Sequence, residues 1–469
     1  MESSTTKMPG SAASVRNACK LCSPLGASLV FKGIHGCIPM IHGSQGCATY
    51  IRRYIISHFK EPVDIASTNF SEETTIFGGH KNFNLGLDNI IRQYRPEVIG
   101  ISSACLSETI GEDVNRLIKE YRQMNWGSEL LPELVYASTP GYQGTHIDGF
   151  HETVSATIST LAVKDAKVGE HINIFSGFVS PQDIRHLKEI ISSFGLDYVL
   201  FPDYSDSLDN PNWEKYHLIP PGGTLVSDIK RTGAARGSIE FGYILNEGAM
   251  NTRVNKAKQV LTAGEWLEVN RNIPYHRIGM PIGIKETDKF FELLEWFSNK
   301  PTSQKLKDER GRLIDSYVDG HKYTFGKRAI IYGEEDLVIG MVLLLLEIGI
   351  EPVLIASGGT GGRLKQMIDE LTEGKTKDVK IMNNMDFESM NEMADELKPD
   401  IIIGHSKGYY IARRLNIPLV RIGFPVHDRF GAQRLQHLGY QGTMQLFDRI
   451  VNALIEYKQE NSPIGYKYI

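Results

Sequence analysis

The sequence predicts an α/β protein of three Rossmann-like domains, each a parallel sheet flanked by helices, and three observations carry that expectation. Apolar strand-like runs alternate with helix-period runs along the chain; the strand-like runs end in glycine or other small residues; and 469 residues suit two or three domains at roughly 150 residues each. INIFSG from Ile172 is strand-like, and PQDIRHLKEIISSFG after it repeats Ile184, Leu187, Ile190 and Ile191 at helical spacing, before the strand-like DYVLFPDYS. RAIIYG from Arg328 leads through a helix ending near Leu346 to EPVLIASGG. DIIIGHSKG from Asp400 leads through YYIARRL to IPLVRIGFP. Earlier, a helix from Asn84 to Tyr94 leads to EVIGISSAC. Such βαβ units pack as parallel sheets. The expected organisation is a flexible tail over 1–16 and domains over 17–165, 166–320 and 321–469. The second includes a charged helical connection, and the third ends in a helix.

Composition narrows the function classes. With 41% hydrophobic and 23% charged residues, the chain reads as globular rather than disordered or fibrous. A net charge of −5 supplies no basic stripe for phosphates, which excludes nucleic acid as the expected partner. The longest apolar run, Leu337 to Leu346, is far short of the ~20 residues of a membrane span and reads as a buried helix. The first sixteen residues lack the apolar stretch of a secretory signal, so a cytoplasmic location is expected. All five cysteines, Cys19, Cys22, Cys37, Cys47 and Cys105, lie in the first 105 residues. An odd number crowded at one end of a cytoplasmic chain favours metal chemistry over a disulfide framework.

Three of these cysteines sit among glycine, proline and small polar residues: Cys22 in CSPLGA, Cys47 in HGSQGC and Cys105 in SSACLSE. Thiolate is the preferred protein ligand of iron-sulfur clusters. Gly26, Gly43 and Gly46 let backbone N–H groups approach sulfur closely. Cys105 directly follows a predicted strand, at the carboxyl end where open parallel sheets bind ligands. Separations of 25 and 58 residues exclude a local ferredoxin loop, so three separate turns would grip the cluster and a second polypeptide could complete it. Cys19 and Cys22 form C-K-L-C, for which a zinc half-site and a redox pair stay as alternatives. No second pair follows at zinc-finger spacing, and no strand-to-helix context resembles thioredoxin. Cys19 reads as a bystander and Cys37, in GIHGCIPM, as a buried small residue. His42 and His58 read as structural, and Glu72, Glu73 and Glu108 as interface charges rather than an acid–base pair. The glycines of SGGTGGR, Gly358 to Gly362, lack a Walker signature and read as a strand-to-helix turn.

Seven segments together resemble the nitrogenase component 1 family, specifically its beta-type branch: CSPLGA, PMIHGSQGCATYIRRY, HFKEPVDIAS, EETTIFGG, SSACLSETIGEDV, STPGYQGTH and PLVRIGFPVHDR. That branch contains the molybdenum-iron protein beta subunit, the second subunit of the cofactor-assembly scaffold, and nitrogenase-like reductases such as methylthio-alkane reductase. The resemblance implies that Cys22, Cys47 and Cys105 ligate this chain's half of a P-cluster-type iron-sulfur centre, or a simpler four-iron cluster, shared with an alpha-type subunit in an α2β2 heterotetramer. Phe77 matches an aromatic at the docking face for an ATP-dependent iron protein. Tyr50 matches a tyrosine between that cluster and a metallocofactor held by the partner. Simple packing is the plain alternative for both aromatics. Two departures stand out. Gly141 occupies the position of a serine that can ligate the oxidised cluster, and SFGLDYVLFPDYSDSLD, DGHKYTFGKRAII and RIGFPVHDRFGA read more like the scaffold subunit. Some scaffold second subunits lack one or more of the three cysteines, whereas this chain keeps all three, so a nitrogenase-like reductase is the leading expectation, with the scaffold and a zinc protein as rivals.

Overall fold

Runs of isoleucine, valine and leucine seed three separate sheets in the computed structural model, which describes residues 19–128, 130–164, 167–212, 214–245 and 261–463. The expected tail over 1–16 lies outside the described residues. The first sheet takes β1 (Cys37–His42), β2 (Ala66–Ser67), β3 (Val98–Ser103) and β4 (Glu133–Ala137) in the order β2-β1-β3-β4. The second takes β5 (Ile172–Phe175), β6 (Tyr198–Phe201), β7 (Ser238–Phe241) and β8 (Tyr275–Ile278) in the order β6-β5-β7-β8. The third takes β9 (Arg328–Gly333), β10 (Glu351–Ser357), β11 (Lys380–Met382), β12 (Ile401–Gly404) and β13 (Leu419–Arg421) in the order β11-β10-β9-β12-β13.

Every strand pairing is parallel. Parallel sheets are covered on both faces, which is why β1, β3 and β5 are buried throughout and show no alternating polar face. The α/β expectation therefore holds. Six strands are absent from the sequence reading, β1, β2, β4, β7, β8 and β11, and two of them show why. β7 carries Glu240 in its interior, buried and accepting a hydrogen bond from Thr262 Oγ1 at 2.7 Å, and β8 is an edge strand with the half-buried sequence Tyr-His-Arg.

The first sheet carries helices α1 (Ser23–Lys32), α2 (Gln45–Phe59), α3 (Glu72–Phe77), α4 (His80–Tyr94), α5 (Cys105–Thr109), α6 (Val114–Met124) and α7 (His146–Leu161). α4 begins four residues before the expected Asn84, because its first turn, His80-Lys81-Asn82, has no apolar period. α1 is buried along its whole length and packs against α7 through glycine. A Cβ on Gly26 would lie 1.7 Å from the His146 carbonyl oxygen, and one on Gly149 2.0 Å from that of Ser23. No larger residue fits at either position, so the two glycines set the helix separation. The apolar run from Leu337 lies in the buried helix Glu335–Glu347, as expected. Among the described residues no helix is long and apolar enough to cross a membrane. The largest hydrophobic cluster runs through all three sheets, from Leu25 and Val98 through Ile174 to Ile331 and Leu446, and two smaller ones lie on the third sheet, around Ile330 and Ile402, and on the first, around Ile38 and Ile99.

Candidate functional site

The strand order of the first sheet reverses between β1 and β3, and open parallel sheets bind ligands outside such a switch point. His42 and Ser103 are paired at the adjacent ends of these two strands. The chain leaves β1 into α2, whose third residue is Cys47, and leaves β3 through Ala104 into α5, whose first residue is Cys105. Cys22 is the N-cap residue of α1, brought to the same place by the glycine contact between α1 and α7. Each thiol thus sits at a helix start. The amides of a first turn have no partner inside their own helix, so N–H donors surround the sulfurs and favour negative charge there.

The thiols of Cys22 and Cys105 are close enough to shift each other's ionisation, and Cys47 acts electrostatically on Cys22. Gly141 N donates to Cys105 Sγ at 3.2 Å, and the Ser44 hydroxyl donates to Cys47 Sγ at 3.5 Å. The Cys22 thiol, opposed by burial but joined by the Gly141 and Tyr142 amides, holds Cys105 down to about 6. Cys22 is pushed up by the Cys105 thiol and by burial. At neutral pH the pair therefore carries its thiolate on Cys105. A Cβ on Gly141 would stand 2.5 Å from Cys22 Sγ and 3.3 Å from Cys105 Sγ. Any side chain at 141 would project between the sulfurs; glycine leaves that space free and offers no oxygen ligand.

The loop carrying Gly141 is clamped by Glu108. Its Oε1 accepts from Tyr136 Oη at 3.0 Å and Ser138 Oγ at 2.6 Å, and also from the Ser103 hydroxyl. Thr139 adds two bonds to Ser103, from its amide at 3.0 Å and its hydroxyl at 3.1 Å. Glu108 is thus an internal clamp rather than the interface charge that its sequence context suggests. Two of its three hydroxyl partners come from the next strand and loop, so no local pattern could have announced it.

Tyr50, one turn beyond Cys47, is 45% exposed, and its ring centroid lies 4.8 Å from that of Tyr54. Burial, its hydrogen bond to Tyr54 and the nearby Cys22 push the Tyr50 phenol up. Phe77, at the end of α3, is 82% exposed beside the equally exposed Ile76. From Gly79, two residues further on, a chain of hydrogen bonds leads toward the cysteine site. Gly79 N donates to Glu112 at 2.7 Å, Glu112 meets His42 Nε2 at 3.4 Å, and the His42 carbonyl accepts from Ser107 Oγ at 2.7 Å and Ala104 N at 3.1 Å. His58 is buried and accepts from Val426 N at 2.9 Å through Nδ1.

The other two cysteines lie apart from the sulfur site. Cys37 is buried inside β1 and Cys19 is buried 3.8 Å from His405 Nε2; desolvation pushes both up to about 12. The first two glycines of the SGGTGGR turn face protein atoms, whereas Gly362 faces open space. A Cβ on Gly358 would meet the Cys19 carbonyl oxygen at 2.3 Å, and one on Gly359 would meet Glu335 Oε1 at 2.4 Å.

Among the described residues no group of three or more His, Cys, Asp or Glu side chains could hold a metal ion. Thiols set around a space lined by N–H donors suit a polyatomic cluster better than a single ion, and an iron-sulfur cluster takes thiolate ligands. The donor set, three thiols with the Gly141 amide directed at one and the Ser44 hydroxyl at another, fits such a group.

Comparison with known proteins identifies the family. The family model for nitrogenase component 1 type oxidoreductase matches residues 22–455. The chain is 35% identical over 451 residues to the nitrogenase molybdenum-iron protein beta chain of Methanothermobacter thermautotrophicus, covering 94% of each. It is 32% identical to the beta chain of Clostridium pasteurianum, covering 94% of this chain and 93% of that one, and 32% identical to that of Azotobacter vinelandii, covering 95% and 85%. A chain in the solved structure of nitrogenase Cp1 at pH 6.5 superposes with a TM-score of 0.92 at 30% identity, over 99% of this chain and 98% of that one. With its three parallel sheets and its cysteines at a switch point, the chain belongs to the nitrogenase component 1 type oxidoreductase family and resembles that family's beta chains.

Proposed function

We propose that this chain is the beta-type subunit of a cytoplasmic α2β2 nitrogenase-like reductase and is not catalytic alone. In this reading it shares a P-cluster-type iron-sulfur centre with an alpha-type subunit. Electrons come from an ATP-dependent iron protein docked near Phe77 and pass to a metallocofactor in the partner. The observation that carries the reading is the convergence of Cys22, Cys47 and Cys105 at three helix starts beside a switch point, with Cys105 exposed. Three thiols, one exposed and two partly buried, make part of a cage, which a second chain can close.

A bound iron-sulfur cluster supplies electron transfer at a potential set by its type, its burial and hydrogen bonds to sulfur. This chain's own part is to hold three thiolates, to donate N–H from Gly141 to Cys105 and to keep position 141 clear. Tyr50 lies at the edge of this site. The relatives named as molybdenum-iron protein beta chains support the same reading.

The test is anaerobic purification with the alpha-type partner. Iron and acid-labile sulfide are then measured, followed by ATP-dependent reduction of dinitrogen, acetylene and a methylthio compound with the iron protein present. Turnover of any of these with sulfide in the complex supports the reductase. Zinc without sulfide removes the cluster, and no turnover with release of a cofactor precursor to another apoprotein makes the chain a scaffold subunit.

A further inference from the structure

Helix Gly439–Glu460 carries an arginine whose charge nothing described in the chain neutralises. Arg449 Nη2 donates to the Arg421 carbonyl, while Nη1 is buried and has no hydrogen-bond partner among the described residues. A guanidinium withdrawn from water without a counter-charge is costly, and proteins rarely retain one without a function or a ligand. Burial and the neighbouring Arg421 push Arg449 down to about 10, so it remains charged at neutral pH.

Arg449 lines a cavity of about 380 Å³, within the range of small-molecule sites. Three arginines stand on its wall against one carboxylate, Glu456. Arg421 is already satisfied, with Nε and Nη2 holding Asp428 at 2.7 to 3.0 Å. Arg429 is exposed; its Nη1 donates to the Asp428 carbonyl at 2.7 Å and stands 3.6 Å from that residue's carboxylate, while its Nε and Nη2 make no hydrogen bond among the described residues. Val426 and the exposed ring of Phe430 supply an apolar side to the same cavity.

We propose that this cavity binds a small organic anion, its carboxylate or phosphate group held by Arg449 and Arg429 and its apolar part lying against Val426 and Phe430. Guanidinium groups pair with either oxyanion through parallel hydrogen bonds, and the anion supplies the charge that Arg449 lacks. The site is built from the last strand of the third sheet and the C-terminal helix, so it stands independently of the cysteines and of the electron-relay reading.

The test is isothermal titration of the purified complex with benzoate, phenyl phosphate and inorganic phosphate at constant ionic strength, with chloride as reference. Saturable binding of benzoate or phenyl phosphate is expected, and whichever binds identifies the head group. Arg449→Met should abolish it. Arg429→Gln changes an exposed side chain that leaves the core untouched, and should weaken it about tenfold, the loss of one charge-assisted contact. The proposal is overturned if no probe binds saturably beyond chloride, if both variants bind as the parent does, or if inorganic phosphate binds as tightly as its phenyl ester.

Discussion

At the first sheet, β1 and β3 end side by side, the chain runs on to Cys47 and Cys105, and Cys105 lies exposed. At the third, β9 and β12 end side by side in Gly333 and Gly404, followed by Glu334 and His405, and a cavity of only about 10 Å³ remains between Cys19, His146, Glu334 and Gly358. That volume holds a single water at most. Here the chain's own N-terminal segment fills the crevice. Cys19 N donates to the Met385 carbonyl at 3.1 Å, His146 Nε2 meets Glu334 at 3.3 Å, and Glu334 accepts from Phe424 N at 3.1 Å. Both switch points receive a cysteine from the same stretch of chain, three residues apart. Cys22 faces an open site beside a thiol held at about 6, whereas Cys19 is sealed in and held at about 12. Identical topology thus yields a ligand site where the crevice is left open and a structural lock where it is filled.

The sharpest way to break this comparison is by cysteine replacement. Cys47→Ala or Cys105→Ala should remove most of the iron and weaken subunit association, while Cys19→Ala should leave iron unchanged. Iron and sulfide per chain, with sedimentation of the complex, check this; equal losses from Cys19→Ala would erase the distinction. The second contrast is in reactivity. The thiolate is the nucleophile, so in the cluster-free chain alkylation of Cys105 should rise with pH through about 6, present above that value and lost below it. Cys19, pushed up to about 12 and buried, should stay unmodified across the neutral range. Pulse labelling with mass spectrometry reads both in one sample.

Glycine replacement separates lock from site on a smaller scale. Gly358→Ala drives a Cβ against the Cys19 backbone and should destabilise the fold by about 1–3 kcal/mol, as overpacking does. Gly141→Ala instead meets a side-chain sulfur that can swing away, so it should perturb the cluster's EPR signal with a lesser fall in Tm. A Gly141→Ala variant with native EPR and a large Tm loss would contradict that division. Smallest of all, Tyr136→Phe removes one of three hydroxyls from Glu108 and should cost about 1 kcal/mol in denaturant unfolding.

Much of this was legible in the chain. β3, β9, β10 and β12 announce themselves as aliphatic runs ending in small residues, because strands covered on both faces have no polar side to show. The cysteine contexts separate Cys22, Cys47 and Cys105 from Cys37 before any coordinates. β7 hides because its buried Glu240 interrupts the apolar run, and its partner Thr262 lies 22 residues on. The Glu108 clamp hides for the same kind of reason, since Tyr136 and Ser138 lie 28 and 30 residues away. Cys19 meets His405 across 386 residues, a contact no sequence window contains.

By itself, then, the sequence determined the parallel α/β architecture and which thiols stand among small residues, because both follow from periodicity and composition within short stretches. Only the tertiary structure decided that one switch point opens to the surface while the other is closed by the chain itself. Filling a crevice depends on segments far apart in sequence meeting at close packing, and the glycines that permit that approach reveal their purpose only when their neighbours are in place.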